Sequence, residues 1–167
     1  MNYFELYEIP LTMKVEKPIL DKKYFELQRK YHPDFHSNAS EDEQAEMLER
    51  SSMVNKGYKI FQSQDDTIKY VLQLKGLLEE EEKYQLPPEF LMEMMELNEG
   101  LLDSDDSSIQ ETETKISQAE KHLYEQVQNI IEYYNDANTT NEQLLLVKEY
   151  YFKKKYLKRI MERLNQD

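Results

Sequence analysis

His32, Asp34 and His36 follow one another as His-x-Asp-x-His, a set of imidazole and carboxylate groups of the kind that ligates transition metals. Pro33 disturbs the geometry between the first two, no other His or Cys lies nearby in the chain, and His122 belongs to a distant stretch where a plain surface role is the better reading. A metal centre is therefore not expected. Two other readings of the turn stand beside it. One is a helix stop whose Asp34 is merely solvated, and the other is a rigid tip that offers the Asp34 carboxylate to a donor on a partner. The chain has no phosphate-binding glycine loop, nucleophile elbow or paired-carboxylate signature, so it is not expected to be an enzyme.

The turn needs elements to hold it. Proline disfavours the α conformation in the residue before it and has no backbone donor, so His32-Pro33 should end a helix running up to Tyr31. Leu20, Tyr24, Leu27 and Tyr31 recur at helical spacing, with Lys22, Lys23, Arg29 and Lys30 on the opposite side, and Pro18 suits the first turn. Downstream, Ser40 and Glu43 have the spacing of a capping box, and Met47, Ser51, Val54, Tyr58 and Phe61 form the buried stripe of a second helix. The two helices should pack antiparallel with the turn at their tip. A short helix over Asn2 to Glu8, closed by Pro10, completes this domain, and a connecting helix from Ser63 to Gly76 follows with Ile68, Val71, Leu72 and Leu74.

A second group of residues suited to binding lies after Pro87-Pro88. Over Pro88 to Leu102, Phe90, Met94, Leu97 and Leu101 make one stripe for packing into a bundle, while Leu91, Met92 and Met95 fall on the other side beside Glu96 and Glu99. One apolar face suffices to fold a surface helix, so the second is available for an interdomain contact or a partner, and methionine adapts well to either. Leu77 to Leu86 reads as an acidic, partly helical linker. Asp103 to Ser108 is a loop or helix start. From Ile109 a long helix carries Thr112, Ile116, Ala119, Leu123, Val127, Ile130 and Tyr134, a polar turn spans Asn135 to Asn141, and Leu145 to Leu164 supplies the last helix. The fold class is all-α: residues 1–76 as an N-terminal helical-hairpin domain, 77–87 as linker and 88–167 as a three-helix bundle.

Composition agrees. Three glycines and no alternating β-branched runs leave strands improbable, the lack of cysteine excludes disulfides and thiolate metal sites, and no apolar run is long enough to span a membrane. A net charge of −13 argues against nucleic acid and anionic membranes as partners. From Leu77 to Glu113, thirteen acidic residues face the single Lys83, and Glu79 to Glu82 read as a solvated run, whereas Val147 to Arg163 holds seven cations against two carboxylates. A soluble, cytoplasmic protein with a strongly polar surface is expected.

The pattern Leu27-Gln28-x-x-Tyr31-His32-Pro33-Asp34, after Tyr3-Phe4-x-Leu6 and before Asn55-x-x-Tyr58, resembles the J-domain co-chaperones. Tyr70-Val71-Leu72-Gln73-Leu74-Lys75-Gly76 and Phe90-Leu91-Met92-Glu93-x-x-Glu96-Leu97 resemble the HscB group of that family, which serves iron-sulfur cluster assembly. The resemblance implies that residues 1–76 are a J domain. It implies that His32, Pro33 and Asp34, with Lys22, Lys23, Arg29 and Lys30, engage a DnaK/HscA-type chaperone and trigger its ATP hydrolysis. There an arginine of the ATPase would meet Asp34 in charge-assisted bonds worth about 1.5 to 3 kcal/mol. It further implies that Leu91, Met92, Met95, Glu96, Glu99 and Phe152 receive the IscU-type scaffold, with no cofactor in this chain. Phe35-His36, where many relatives place a basic residue, Lys69 in place of arginine, and Gly100 in place of a helix former depart from the pattern. The cysteine-bearing zinc module of eukaryotic members is missing, which implies a bacterial type. A J-domain protein with another client and a non-catalytic helical adaptor are the alternatives.

Overall fold

The computed structural model describes residues 1–102 and 106–165. Among them are seven α-helices and no strand. The chain divides into two compact units, Met1–Val71 with Asn135–Ala137 and Leu72–Tyr134 with Asn138–Asp167.

In the first unit α1 (Tyr3–Tyr7) is short because its ends are fixed from both sides. Asn2 and Glu5 form a reciprocal capping box, and Glu8 closes the helix in the left-handed region at φ 53°. The basic helix α2 (Lys17–Tyr31) ends where expected, its last donor passing to His32, whose N–H bonds the Gln28 carbonyl at 2.8 Å. Pro33–Phe35 forms one 3-10 turn, and α3 (Glu41–Gln62) returns. Ser40 caps α3 by accepting from the Glu43 N–H at 3.3 Å, which is one half of the expected capping box.

The α2/α3 pair is closed by rings and by a polar seam. Tyr24 stacks on Tyr58 at 4.0 Å, the Tyr58 hydroxyl donates to Asp21 at 2.8 Å, and Asn55 Oδ1 accepts from both Tyr24 and Gln28. The Asp21 carboxylate raises the Tyr58 hydroxyl above the ordinary phenol value. Leu20, Leu27, Val54 and Phe61 are buried beneath this seam. α1 seals one end through Phe4 and Tyr7 against Phe61, and the Tyr7 hydroxyl donates to the Val54 carbonyl.

Gly57 makes that seal possible. A Cβ there would stand 2.9 Å from Tyr7 Cε2, and the Tyr7 ring is buried and hydrogen-bonded, so it cannot step aside. Gly57→Ala is therefore expected to destabilise the first unit by about 1 to 3 kcal/mol despite alanine's better helix propensity, read as a lower thermal unfolding midpoint.

α4 (Gln64–Leu74) starts at Ser63, which accepts from the Asp66 N–H, and ends at Gly76 with φ 72°. Leu77 N–H bonds the Leu72 carbonyl and Gly76 N–H the Gln73 carbonyl, the paired bonds of a Schellman stop. Ile68, Val71 and Leu72 are buried, whereas Leu74 turns outward at 40% exposure.

The second unit contains an antiparallel bundle of α5 (Pro88–Leu102), α6 (Asp106–Glu132) and α7 (Asn141–Leu164). Phe90, Met94, Ile116, Leu157 and Ile160 form its core, with Leu97 packed against them. The side chain of Leu101, expected on the same stripe, lies outside the described residues, as do residues 103–105. Gly100 does not stop α5, which continues to Leu102.

Three expectations are corrected. Residues 77–87 contain no helix: Glu79 to Glu81 stay in water, while Glu82 accepts from the Glu79 N–H at 3.3 Å and pairs with Lys148 of α7 at 2.7 Å. In α6, Ile131 rather than Ile130 is buried, and the helix ends at Glu132, before Tyr134. α7 starts at Asn141, not Leu145, because Thr140 and Gln143 form a capping box that draws the polar residues into the first turn.

Candidate functional site

The His-Pro-Asp turn projects from the α2/α3 pair as a fixed tip. With φ −63° and ψ 132°, His32 leaves the helix, and in the neutral ring Nδ1 accepts from the Asp34 N–H at 3.2 Å. The Asp34 carboxylate is left in water, 87% exposed, with Oδ2 3.6 Å from His32 Nδ1. This is an acceptor held by its backbone and free at its oxygens.

His36, which the sequence marked as a departure and as a member of the His-x-Asp-x-His set, supports the tip from behind. Its Nε2 lies 2.7 Å from the Lys30 carbonyl, and since a carbonyl only accepts, Nε2 carries the proton. That bond satisfies one of the orphan carbonyls in the last turn of α2. One ring nitrogen of each histidine is thus directed to a backbone group, Nδ1 of His32 and Nε2 of His36. Among the described residues no group of three or more His, Cys, Asp or Glu is arranged to hold a metal ion. His36→Ala should speed amide exchange at Phe35 and His36 severalfold, and His36→Gln should restore part of the protection, a comparison made by hydrogen-exchange mass spectrometry.

The cations divide into two groups. Lys22 and Arg29 are exposed on the face opposite Leu20 and Leu27, with the Arg29 guanidinium 5.8 Å from the ring of Phe25, itself 62% exposed. Lys30 is exposed near the tip, its ammonium 5.2 Å from the Tyr31 ring. Lys23 departs from the expected position: it is half-buried and lies 3.8 Å from the Glu8 carboxylate at the flank of α2. Phe25 and Phe35, 62% and 66% exposed, were not singled out as binding residues. At about 100° per residue Phe25 falls between Lys22 and Leu20, off the buried stripe, and that offset was the available signal.

α5 separates its two apolar faces as its spacing requires. Phe90 and Met94 are buried, while Leu91, Met92 and Met95 are 36%, 65% and 62% exposed, flanked by exposed Glu96 and Glu99. These five residues share an arc of about 140°. Phe152 stands apart on α7, half-buried, stacked on Tyr84 at 4.5 Å and edge-on to Tyr151 at 5.2 Å. The Glu79 to Glu82 run is solvated only in part: Glu79, Glu80 and Glu81 are exposed, but Glu82 lies 2.7 Å from Lys148. No helix among the described residues is long and apolar enough to cross a membrane.

Comparison with known proteins agrees with this architecture. Residues 86–165 match the family described as the HSCB C-terminal oligomerisation domain. The chain is 30% identical over 146 residues to the co-chaperone protein HscB homolog of Photobacterium profundum, spanning 87% of this chain and 80% of that protein. It is 32% identical over 143 residues to the homolog of Shewanella woodyi, spanning 82% of each. The crystal structure of human co-chaperone protein HscB superposes with a TM-score of 0.81 at 27% identity, covering 99% of this chain and 81% of that one. Chaperone HscB from Vibrio cholerae shares the fold, with a TM-score of 0.75 at 23% identity over 99% and 96% of the two chains. An all-helical chain with these relatives is a co-chaperone and not an enzyme. It belongs to the HscB family.

Proposed function

We propose that the chain binds an IscU-type iron-sulfur scaffold through its C-terminal bundle and delivers it to a DnaK/HscA-type chaperone, whose ATPase it stimulates through His32, Pro33 and Asp34. On this reading residues 1–76 are the J domain, 88–167 the scaffold-binding bundle, and the protein works in the cytoplasm. The observation that carries the first half is the tip, where an exposed carboxylate on a backbone fixed by His32 and His36 stands at the end of the helix that carries the exposed cations Lys22, Arg29 and Lys30. Such a tip gives an arginine of the ATPase a charge-assisted acceptor, and the cations speed encounter with an acidic surface. The second half is supported by the exposed Leu91, Met92 and Met95, adaptable apolar groups rimmed by carboxylates. Carrying both contacts on one chain raises the effective concentration of scaffold at the chaperone.

The test is assembly. Sedimentation of labelled scaffold with the ATP-bound chaperone should show a ternary complex when this chain is added. Two binary complexes that never join would remove the delivery step. A second reading, self-association through the bundle, is favoured by the description of the matched family. Sedimentation of the chain alone at micromolar concentration separates the two, a monomer leaving the α5 face to the scaffold.

A further inference from the structure

Residues 77–87 carry no helix, yet they are fastened to α7. The Glu82 carboxylate lies 2.7 Å from Lys148 Nζ, and both side chains are largely withdrawn from water, at 19% and 14% exposure. Two residues on, the Tyr84 ring lies flat on Phe152, with centroids 4.5 Å apart and planes 4° from parallel. The Lys148 ammonium is also 5.6 Å from the Tyr84 ring, so one cation holds both strap residues. Leu86 then packs against the bundle core, Pro88 opens α5, and Leu91 follows Tyr84 by seven residues. The strap thus leads from Phe152 on α7 to the helix that presents Leu91, Met92 and Met95.

Phe152 is not a free ring. Tyr84 covers one of its faces and Tyr151 meets it edge-on, so a partner that reaches Phe152 meets a ring whose orientation these neighbours set. We infer that Tyr84 is a further positioning residue of the scaffold-docking surface, holding Phe152 in place and joining the α7 contact to the apolar face of α5. The inference rests on the scaffold reading above. Burial and the carboxylates of Glu149 and Glu82 push the Tyr84 hydroxyl up from the ordinary phenol value. A stacked pair beside a partly buried ion pair is a preorganised contact, and preorganisation reduces what a partner must order on binding.

The experiment is a calorimetric titration of the host's iron-sulfur scaffold protein into the full chain and its Tyr84→Ala, Tyr84→Phe, Phe152→Ala and doubly substituted Tyr84→Ala/Phe152→Ala forms. Tyr84→Ala should weaken binding roughly threefold to tenfold, Tyr84→Phe should keep the affinity within about twofold, and the double variant should bind about as Phe152→Ala does, because the first change acts through the second ring. Lys148→Gln, which frees the strap while leaving both rings intact, should weaken binding in the same direction and serves if Tyr84→Ala does not fold. Unchanged or tighter binding by Tyr84→Ala, with Phe152→Ala weakened, would overturn the inference and leave the scaffold reading standing. If neither Phe152→Ala nor Leu91→Ala/Met95→Ala weakened binding, the scaffold reading would fail and the inference with it.

Discussion

Asp34→Asn is expected to abolish most of the stimulation of the partner chaperone, a loss of about tenfold to a hundredfold in the single-turnover rate of ATP hydrolysis, while the fold stays intact. The magnitude follows from removing a carboxylate from charge-assisted bonds worth about 1.5 to 3 kcal/mol, since each 1.4 kcal/mol is a factor of ten. The intact fold follows from the geometry. The Asp34 side chain is 87% exposed, and the bond that shapes the turn runs from its backbone N–H to His32 Nδ1, which asparagine retains. A rate loss accompanied by a lower unfolding midpoint would assign Asp34 to structure and contradict the proposal.

Leu91→Ala/Met95→Ala carries the other large effect. Met95 is mostly in water and Leu91 about one-third so, and their truncation should cost the bundle no more than about 1 to 2 kcal/mol. In a complex each would be buried, and losing two apolar anchors at the centre of an interface costs about 2 to 4 kcal/mol, or roughly thirtyfold or more in scaffold affinity. The control is Met94→Ala on the opposite face. Met94 is fully buried in the bundle core, so its truncation should cost about 2 to 5 kcal/mol of stability and unfold part of the population. An unchanged affinity for the double variant would place the scaffold elsewhere.

Local rules account for what was legible in the sequence. Pro33 stops α2, Pro88 opens α5, Gly76 closes α4, and the period of Leu20, Leu27, Val54 and Phe61 marks the buried side of the hairpin. The division of α5 into two apolar faces was equally readable, because it depends on angle alone. What failed did so where tertiary structure overrides a local rule. In α6 the buried positions are Thr112, Ile116, Val127 and Ile131, which wind about 100° around the helix over that length, so a strict heptad extrapolation drifts onto Ile130. Residues 77–87 have the composition of a solvated helix, but Glu82 finds its partner in Lys148, far along the chain, and no local pattern announces that pairing.

The tip shows both cases. His32, Pro33 and Asp34 were legible as a stop and as an acceptor, whereas the support from His36 was not, since a side chain reaching back to the Lys30 carbonyl leaves no periodic trace. Lys23 was grouped with the cationic face, but at about 100° per residue it falls at the edge of the buried stripe, between Leu20 and Leu27 and the exposed side, where Glu8 meets it. The Tyr84 and Phe152 stack was invisible: two aromatic residues so far apart in sequence are brought together by the strap.

The measurement that tests the account most directly is single-turnover ATP hydrolysis by the host's DnaK/HscA-type chaperone, followed as scaffold is titrated with and without this chain. Delivery predicts that the chain raises the rate and lowers the scaffold concentration needed for half-maximal stimulation, and that Asp34→Asn does neither. A rate that stays at the chaperone's basal value with the unsubstituted chain at every scaffold concentration would contradict it.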